Sequence, residues 1–142
     1  MSVYQHIIAA IDLGDTSATV LQQASALAKL SEAKLTVLHV VNYSPSPNPG
    51  SMTAPVDENE SKLVDAARNQ IQGLLQKEAL SDGVATIIAS GKAKVEIARI
   101  AEQEQADLLV VGAHVVKGLS GIFGSTTSSV LDQAKCNVLV VR

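Results

Sequence analysis

The chain has 142 residues, 46% of them hydrophobic and 18% charged, with a formal net charge of −3. One domain of that length buries a proper core, so a disordered segment and a miniature fold needing staples are both excluded. With two tyrosines, one phenylalanine, no tryptophan and no basic run, the chain lacks the stacking platform and positive groove of a single-stranded nucleic-acid binder.

The lone Cys136 can form no internal disulfide and suits a reducing compartment; ahead of an apolar run it reads as a small core residue. No stretch approaches the roughly 20 apolar residues of a membrane span. The start, MSVYQH, lacks the basic opening and long apolar centre of a signal peptide. A soluble cytoplasmic protein is expected.

Taken in order, residues 6–12, HIIAAID, form a short apolar run with Asp12 at its C-terminal end, the first strand. Asp15 or Thr16 is placed to cap a helix running to about Leu30, with Val20, Leu21, Ala24, Leu27 and Ala28 on one face. Residues 34–41, KLTVLHVV, are rich in β-branched side chains and give the second strand. Residues 42–59 hold all four prolines and read as a long surface loop, expected to be cut first by a protease.

A second helix over about 58–80 presents Leu63, Val64, Ala67, Ile71, Leu74 and Leu75. A third strand spans 84–89, and Ser90-Gly91-Lys92 turns into a helix over about 93–105 that buries Val95, Ile97, Ile100 and Ala101. Residues 107–111 form a fourth strand, a glycine loop follows, and a helix over about 125–135 buries Val130, Leu131 and Ala134. Residues 137–141, NVLVV, close the chain as a fifth strand.

Strands and helices alternate throughout, and the strands are unbroken apolar runs with both faces covered. The spacing therefore predicts an α/β fold: one doubly wound, Rossmann-like domain over residues 1–142, with a five-stranded parallel sheet and four helices.

In such a sheet a ligand binds beyond the C-terminal strand ends, where the strand order reverses. Asp12, the backbone at Val40 and Val41, the turn at Ser90-Gly91 and the run Gly112-Ala113-His114 all fall on that edge. The stretch 107–127 is the strongest signal. A buried strand breaks at Gly112, three more glycines follow (Gly118, Gly121, Gly124), and Ser125, Thr126 and Thr127 open a helix. Glycines admit close backbone approach, and free N–H groups at a helix start point at an anion. The same pattern also serves as a plain strand-to-helix connection. Asp12 suits a ribose hydroxyl or a base amine, or else a turn. His39, inside the second strand, reads as a satisfied core histidine; His114 is open to ligand contact or loop hydrogen bonding.

Other chemistries fit less well. Ser125, His114 and Asp12 are of triad type, but no Gly-x-Ser-x-Gly elbow is present. Three histidines and one cysteine include no pair at metal-ligand spacing. A phospho-receiver would need an acidic pair where Asp12-Leu13 stands, and no Gly-Lys-Ser/Thr phosphate loop occurs. The aromatic poverty speaks against a flavin carrier. No general base is evident, so at most a slow hydrolytic turnover is expected.

Taken together, HIIAAID, KLTVLHVV, ADLLVVGAH, the Gly-Ser-Thr helix start and CNVLVVR resemble the universal stress proteins over essentially the whole chain. The resemblance implies an adenine nucleotide alpha hydrolase-like domain that binds ATP or AMP, with magnesium accompanying the phosphates. The nucleotide-binding branch carries a glycine, two residues, a second glycine, about nine residues, then Gly-Ser or Gly-Thr. Gly112 matches the first glycine and Gly124-Ser125 the final pair; Val115 stands at the second glycine, and only residues 116–123 separate it from Gly124.

By this resemblance Ala10, Ile11 and Asp12 meet adenine or ribose, and Val40 offers backbone to the adenine edge. Val111, Gly112, His114 and Val115 line phosphate, and Gly124, Ser125 and Thr126 bind it. The resemblance further implies a homodimer paired through residues 137–141, a sensor or regulator whose nucleotide state changes its partners. The alternative is a dimeric stress-response interaction module that binds no nucleotide.

Overall fold

The computed structural model describes residues 3–43, 58–80, 82–113 and 125–142. The elements, in order, are β1 (His6–Ala10), α1 (Ser17–Ser31), β2 (Lys34–Val41), α2 (Glu58–Lys77) and β3 (Val84–Ser90). Then come α3 (Ala93–Gln103), β4 (Leu108–Gly112), α4 (Ser125–Gln133) and β5 (Asn137–Val141). The five strands form one sheet in the order β3-β2-β1-β4-β5, and every pairing is parallel. The α/β architecture expected from the alternation is the one observed. Residues 44–57, on which most of the proline-rich loop falls, lie outside the described residues.

Two-residue alternation along β1 divides the core. Ile7, Ala9 and Ile11 pack with Val20, Leu21, Ala24 and Ala28 of α1 and with Ile71 and Leu75 of α2. Ile8 and Ala10 face the opposite way, onto Ile97, Ile100 and Ala101 of α3 and Val130 of α4. Each fully buried aliphatic side chain contributes about 1.5–3 kcal/mol, so β1, buried on both faces, is the element on which both layers converge. Cys136 is half-buried against the second cluster, and burial pushes its thiol pKa up. A raised pKa lowers the thiolate fraction, which fits a packing role.

The opposite edge of the sheet is tied by Asp107. Its carboxylate accepts the backbone N–H groups of Gln5 at 2.8 Å and His6 at 3.1 Å. His6 donates Nδ1–H to the Glu104 carbonyl at 3.1 Å and accepts the Thr36 hydroxyl at Nε2 at 2.7 Å. These bonds align the starts of β1, β2 and β4, and so fix where the strands end.

Several expectations need correction. The first strand stops at Ala10 rather than at residue 12, because the chain turns away after Ile11. α2 and α3 end two or three residues earlier than their periodicity suggests and α1 runs one residue further, and each closes at a left-handed residue that is not glycine: Glu32 (φ 55°), Ala79 (φ 58°) and Gln105 (φ 56°). In each the next N–H reaches back five residues, as from Ala33 to Ala28, Leu80 to Leu75 and Ala106 to Ala101. This is the Schellman closure, formed here without the glycine that normally marks it. Val95, Leu131 and Leu63, expected to be buried, are 47%, 43% and 45% exposed. They lie on the margins of their helices' apolar stripes, where periodicity gives direction but not width.

Candidate functional site

The strand order reverses between β1 and β4, and the residues that leave the sheet there are held closely. Ile11 is gripped by β2 at both backbone groups. Its N–H donates to the Leu38 carbonyl at 2.9 Å, and its carbonyl accepts Nδ1–H of His39 at 2.8 Å. The exit direction of the chain at Asp12 is thereby fixed.

The turn that follows is organised by Asp12 itself. Its Oδ1 accepts the Gly14 N–H at 2.8 Å and the Ser17 hydroxyl at 3.4 Å, while Leu13 takes φ 65°. A side chain at Gly14 would start 2.9 Å from Asp12 Oδ1, so only glycine permits that approach.

Thr16 occupies the N-cap position of α1 but makes no side-chain cap bond. Its hydroxyl instead sits 2.9 Å from where a Cβ on Gly112 would lie. Gly112 is held from the other side as well, because its carbonyl accepts the Thr127 hydroxyl at 2.9 Å. The end of β4 is therefore clasped between the start of α1 and the first turn of α4.

These elements wall a cleft of about 580 Å³, well inside the usual range for small-molecule sites, roughly 300–1,000 Å³. Ala10, Ile11, Asp12, Val40, Val111, Gly112 and Thr126, all singled out in the sequence, stand on its wall. Ser125 opens α4. His114, Val115 and Gly124 lie outside the described residues.

Thr127, part of the expected hydroxyl-bearing helix start, also stands on the wall, and Leu13, Thr16 and the α2 side chains Ala66 and Gln70 were not anticipated. His39 also differs from its expected place in the core. It is half-buried and lines the cleft. Its alternation with Leu35 and Val37, on the face that Ile11 shares, was the available signal. The walls are mostly aliphatic, with Val20, Leu38, Val40, Ile97 and Val130 among them. Such a surface suits a flat ring, and the polar groups at the strand ends can orient it. Among the described residues, Asp12 and His39 are the only titratable groups on the wall, and no cluster of three or more His, Cys, Asp or Glu could hold a metal.

The universal stress protein family model matches residues 3–142. The chain belongs to the universal stress protein family. Universal stress protein A homolog 1 of Coxiella burnetii is 34% identical over 140 residues, 97% of this chain and 96% of that protein. The solved universal stress protein UspA from Lactobacillus plantarum superposes with a TM-score of 0.80 at 31% identity, covering 100% of both chains. A universal stress protein solved in complex with cAMP superposes with a TM-score of 0.65 at 25% identity, covering 99% of this chain and 98% of that one. Among the described residues, no helix is long and apolar enough to cross a membrane.

Proposed function

We propose that this universal stress protein is a cytoplasmic adenine-nucleotide-binding regulator, a single domain over residues 1–142 that takes ATP or AMP with magnesium in the cleft at the β1/β4 ends. The observation that carries this reading is the convergence of Asp12, the Val40 backbone, Gly112 and Thr126 on one cleft of about 580 Å³. The residues present fit the ligand. Aliphatic walls accept the adenine ring, Asp12 offers acceptors to ribose hydroxyls, and the bare Cα of Gly112 admits close approach. The solved relative with cAMP supports an adenine ligand.

The test is thermal unfolding with added nucleotide. A ligand at 100 times its Kd stabilises the native state by about 2.7 kcal/mol, a rise of several degrees for a domain of this size. A melting temperature unmoved by millimolar ATP and AMP, with magnesium, would reject the reading.

We further propose that the protein acts as a homodimer. Among the described residues β5 closes the sheet and pairs only with β4, and its Val138, Leu139 and Val140 are half-buried. An apolar strand left at an edge invites pairing, and a two-fold partner satisfies it. Sedimentation equilibrium should return twice the chain mass; a monomer at tens of micromolar chain would refute it. The second reading, a dimeric interaction module without nucleotide, is favoured by Val115 at the position of the family's second glycine, since β-branched residues avoid positive φ. It predicts the dimer with no thermal shift.

A further inference from the structure

We propose that the first turns of α2 form the base-binding wall of the cleft, with Leu63 packed on the adenine ring and Gln70 hydrogen-bonded to its edge. The proposal rests on the adenine-nucleotide reading above and assigns the residues that select the base.

Strand order gives the cleft two ends. β2 and β4 flank β1 on either side, so their tips stand about 10 Å apart, two strand spacings. Gly112, Thr126 and Thr127 occupy the β4 side. α2 packs against β2 and β3, with Ile71 and Leu75 buried in one cluster with Leu35 and Val37 of β2. The part of α2 that reaches the cleft therefore meets the end of a nucleotide farthest from Gly112 and Thr126, the proposed phosphate contacts. That end is the base.

α2 reaches the cleft by overhanging it. α1 and α2 both return between parallel strands, so they run in the same direction. Gln22 of α1 donates to the carboxylate of Glu78, just past the end of α2, at 2.6 Å. α1 begins five residues before that tie, at Ser17, whereas α2 begins twenty residues before it, at Glu58. At 1.5 Å per residue the difference carries α2 about 20 Å past the start of α1.

Leu63, Ala66, Ala67 and Gln70 of this overhang line the cleft, and their spacing sets them on one helix face. The two alanines leave a shallow bay bounded by Leu63 and Gln70, about 10 Å apart along the axis. Ala93 and Ile97 of α3 line the same cleft, with Val40 and Val41 at the tip of β2. Of the large hydrophobic side chains exposed among the described residues, Leu63, at 45%, is the one on the cleft wall; Val3, Leu30, Val95 and Leu131 are not. A ring seated in the bay removes that apolar surface from water. Gln70 is exposed, and among the described residues its amide makes no hydrogen bond. A carboxamide carries a donor and an acceptor side by side, which matches the amino group and adjacent ring nitrogen of adenine.

The experiment is calorimetric titration with ATP and with purine riboside triphosphate, which lacks the 6-amino group, on wild type, Leu63→Ala and Gln70→Leu. Both positions are exposed and helical, and alanine and leucine are strong helix formers, so the variants keep the fold. Leu63→Ala should weaken ATP binding about five-fold. Wild type should prefer ATP to the analogue by about tenfold, and Gln70→Leu should lose most of that preference. On wild type alone, the Leu63 methyl groups should show nuclear Overhauser effects to the base protons of bound ATP, a readout that needs no variant. Undiminished ATP affinity in Leu63→Ala, an unchanged preference in Gln70→Leu, or no effect between Leu63 and the base would overturn the proposal and leave the nucleotide reading standing. Absence of ATP binding to wild type would overturn both.

Discussion

The hydroxyl of Thr127 donates to the carbonyl of Gly112 at 2.9 Å, joining two residues 15 positions apart. Thr127 is 3% exposed and Gly112 half-buried, so removing the hydroxyl leaves a part-buried carbonyl without its protein partner. Thr127→Val should lower stability by about 1–3 kcal/mol, the usual cost of an unmet buried acceptor. Thr127→Ser, which keeps the hydroxyl, should lose less. Urea unfolding midpoints of the two variants decide the matter, and equal losses would mean that the hydrogen bond contributes nothing.

Gly112 is constrained from its other side by Thr16. A Cβ at residue 112 would fall 2.9 Å from Thr16 Oγ1 and 3.5 Å from Val20 Cγ2; the first is a collision and the second an ordinary contact. Gly112→Ala should therefore destabilise by about 1–3 kcal/mol, and Thr16→Ala in the same chain should recover most of that. A double-mutant cycle measures the coupling directly. Additive losses would show that the two residues are independent.

Much of this fold is legible in the sequence, for a physical reason. Lys34–Val41 and Asn137–Val141 are continuous β-branched and aliphatic runs, and a strand buried on both faces leaves that trace. The helix ends are less legible, because glycine is the usual sign of a left-handed cap and Glu32, Ala79 and Gln105 occupy that conformation instead. At the site, Asp12 and Gly112 stand out because an acid or a glycine interrupts an apolar run. The clasp of Thr16 and Thr127 around Gly112 leaves no local signal, since it joins residues from three separate elements. Leu13, at φ 65°, was hidden by Gly14 beside it, the more obvious residue for a turn.

Those left-handed caps carry a prediction of their own. A non-glycine residue in that region bears a strain of roughly 1–2 kcal/mol, against about 0.5–1 kcal/mol of extra chain entropy lost by glycine. Ala79→Gly, at an exposed position, should thus raise stability by about 0.5 kcal/mol. The same change at Ala26, exposed in the middle of α1, should lower it by about 1 kcal/mol. Guanidinium unfolding of both variants checks the contrast; a loss of stability at both positions would contradict it.

Asp107 lies far from the cleft and tests the frame that sets the strand ends. Its carboxylate meets two backbone N–H groups, those of Gln5 and His6. Asp107→Ala should remove about 1–3 kcal/mol of stability, and Asp107→Asn, which keeps one acceptor oxygen, a smaller part. Hydrogen exchange at the His6 amide should accelerate in both. Unchanged protection there would mean that the strand pairing alone holds the start of β1.

The central claim is that the cleft takes an adenine nucleotide, and calorimetric titration with ATP and magnesium tests it most directly. The titration is run on wild type beside Asp12→Ala, Gly124→Val and Val115→Gly. Wild type should bind saturably and release ATP to competing AMP. Asp12→Ala should weaken binding by tenfold or more, about 1.4 kcal/mol. Gly124→Val should abolish binding while the far-ultraviolet dichroism stays that of the native fold, and Val115→Gly should tighten it. No heat from wild type at millimolar ATP, or undiminished affinity in both Asp12→Ala and Gly124→Val, would contradict the account.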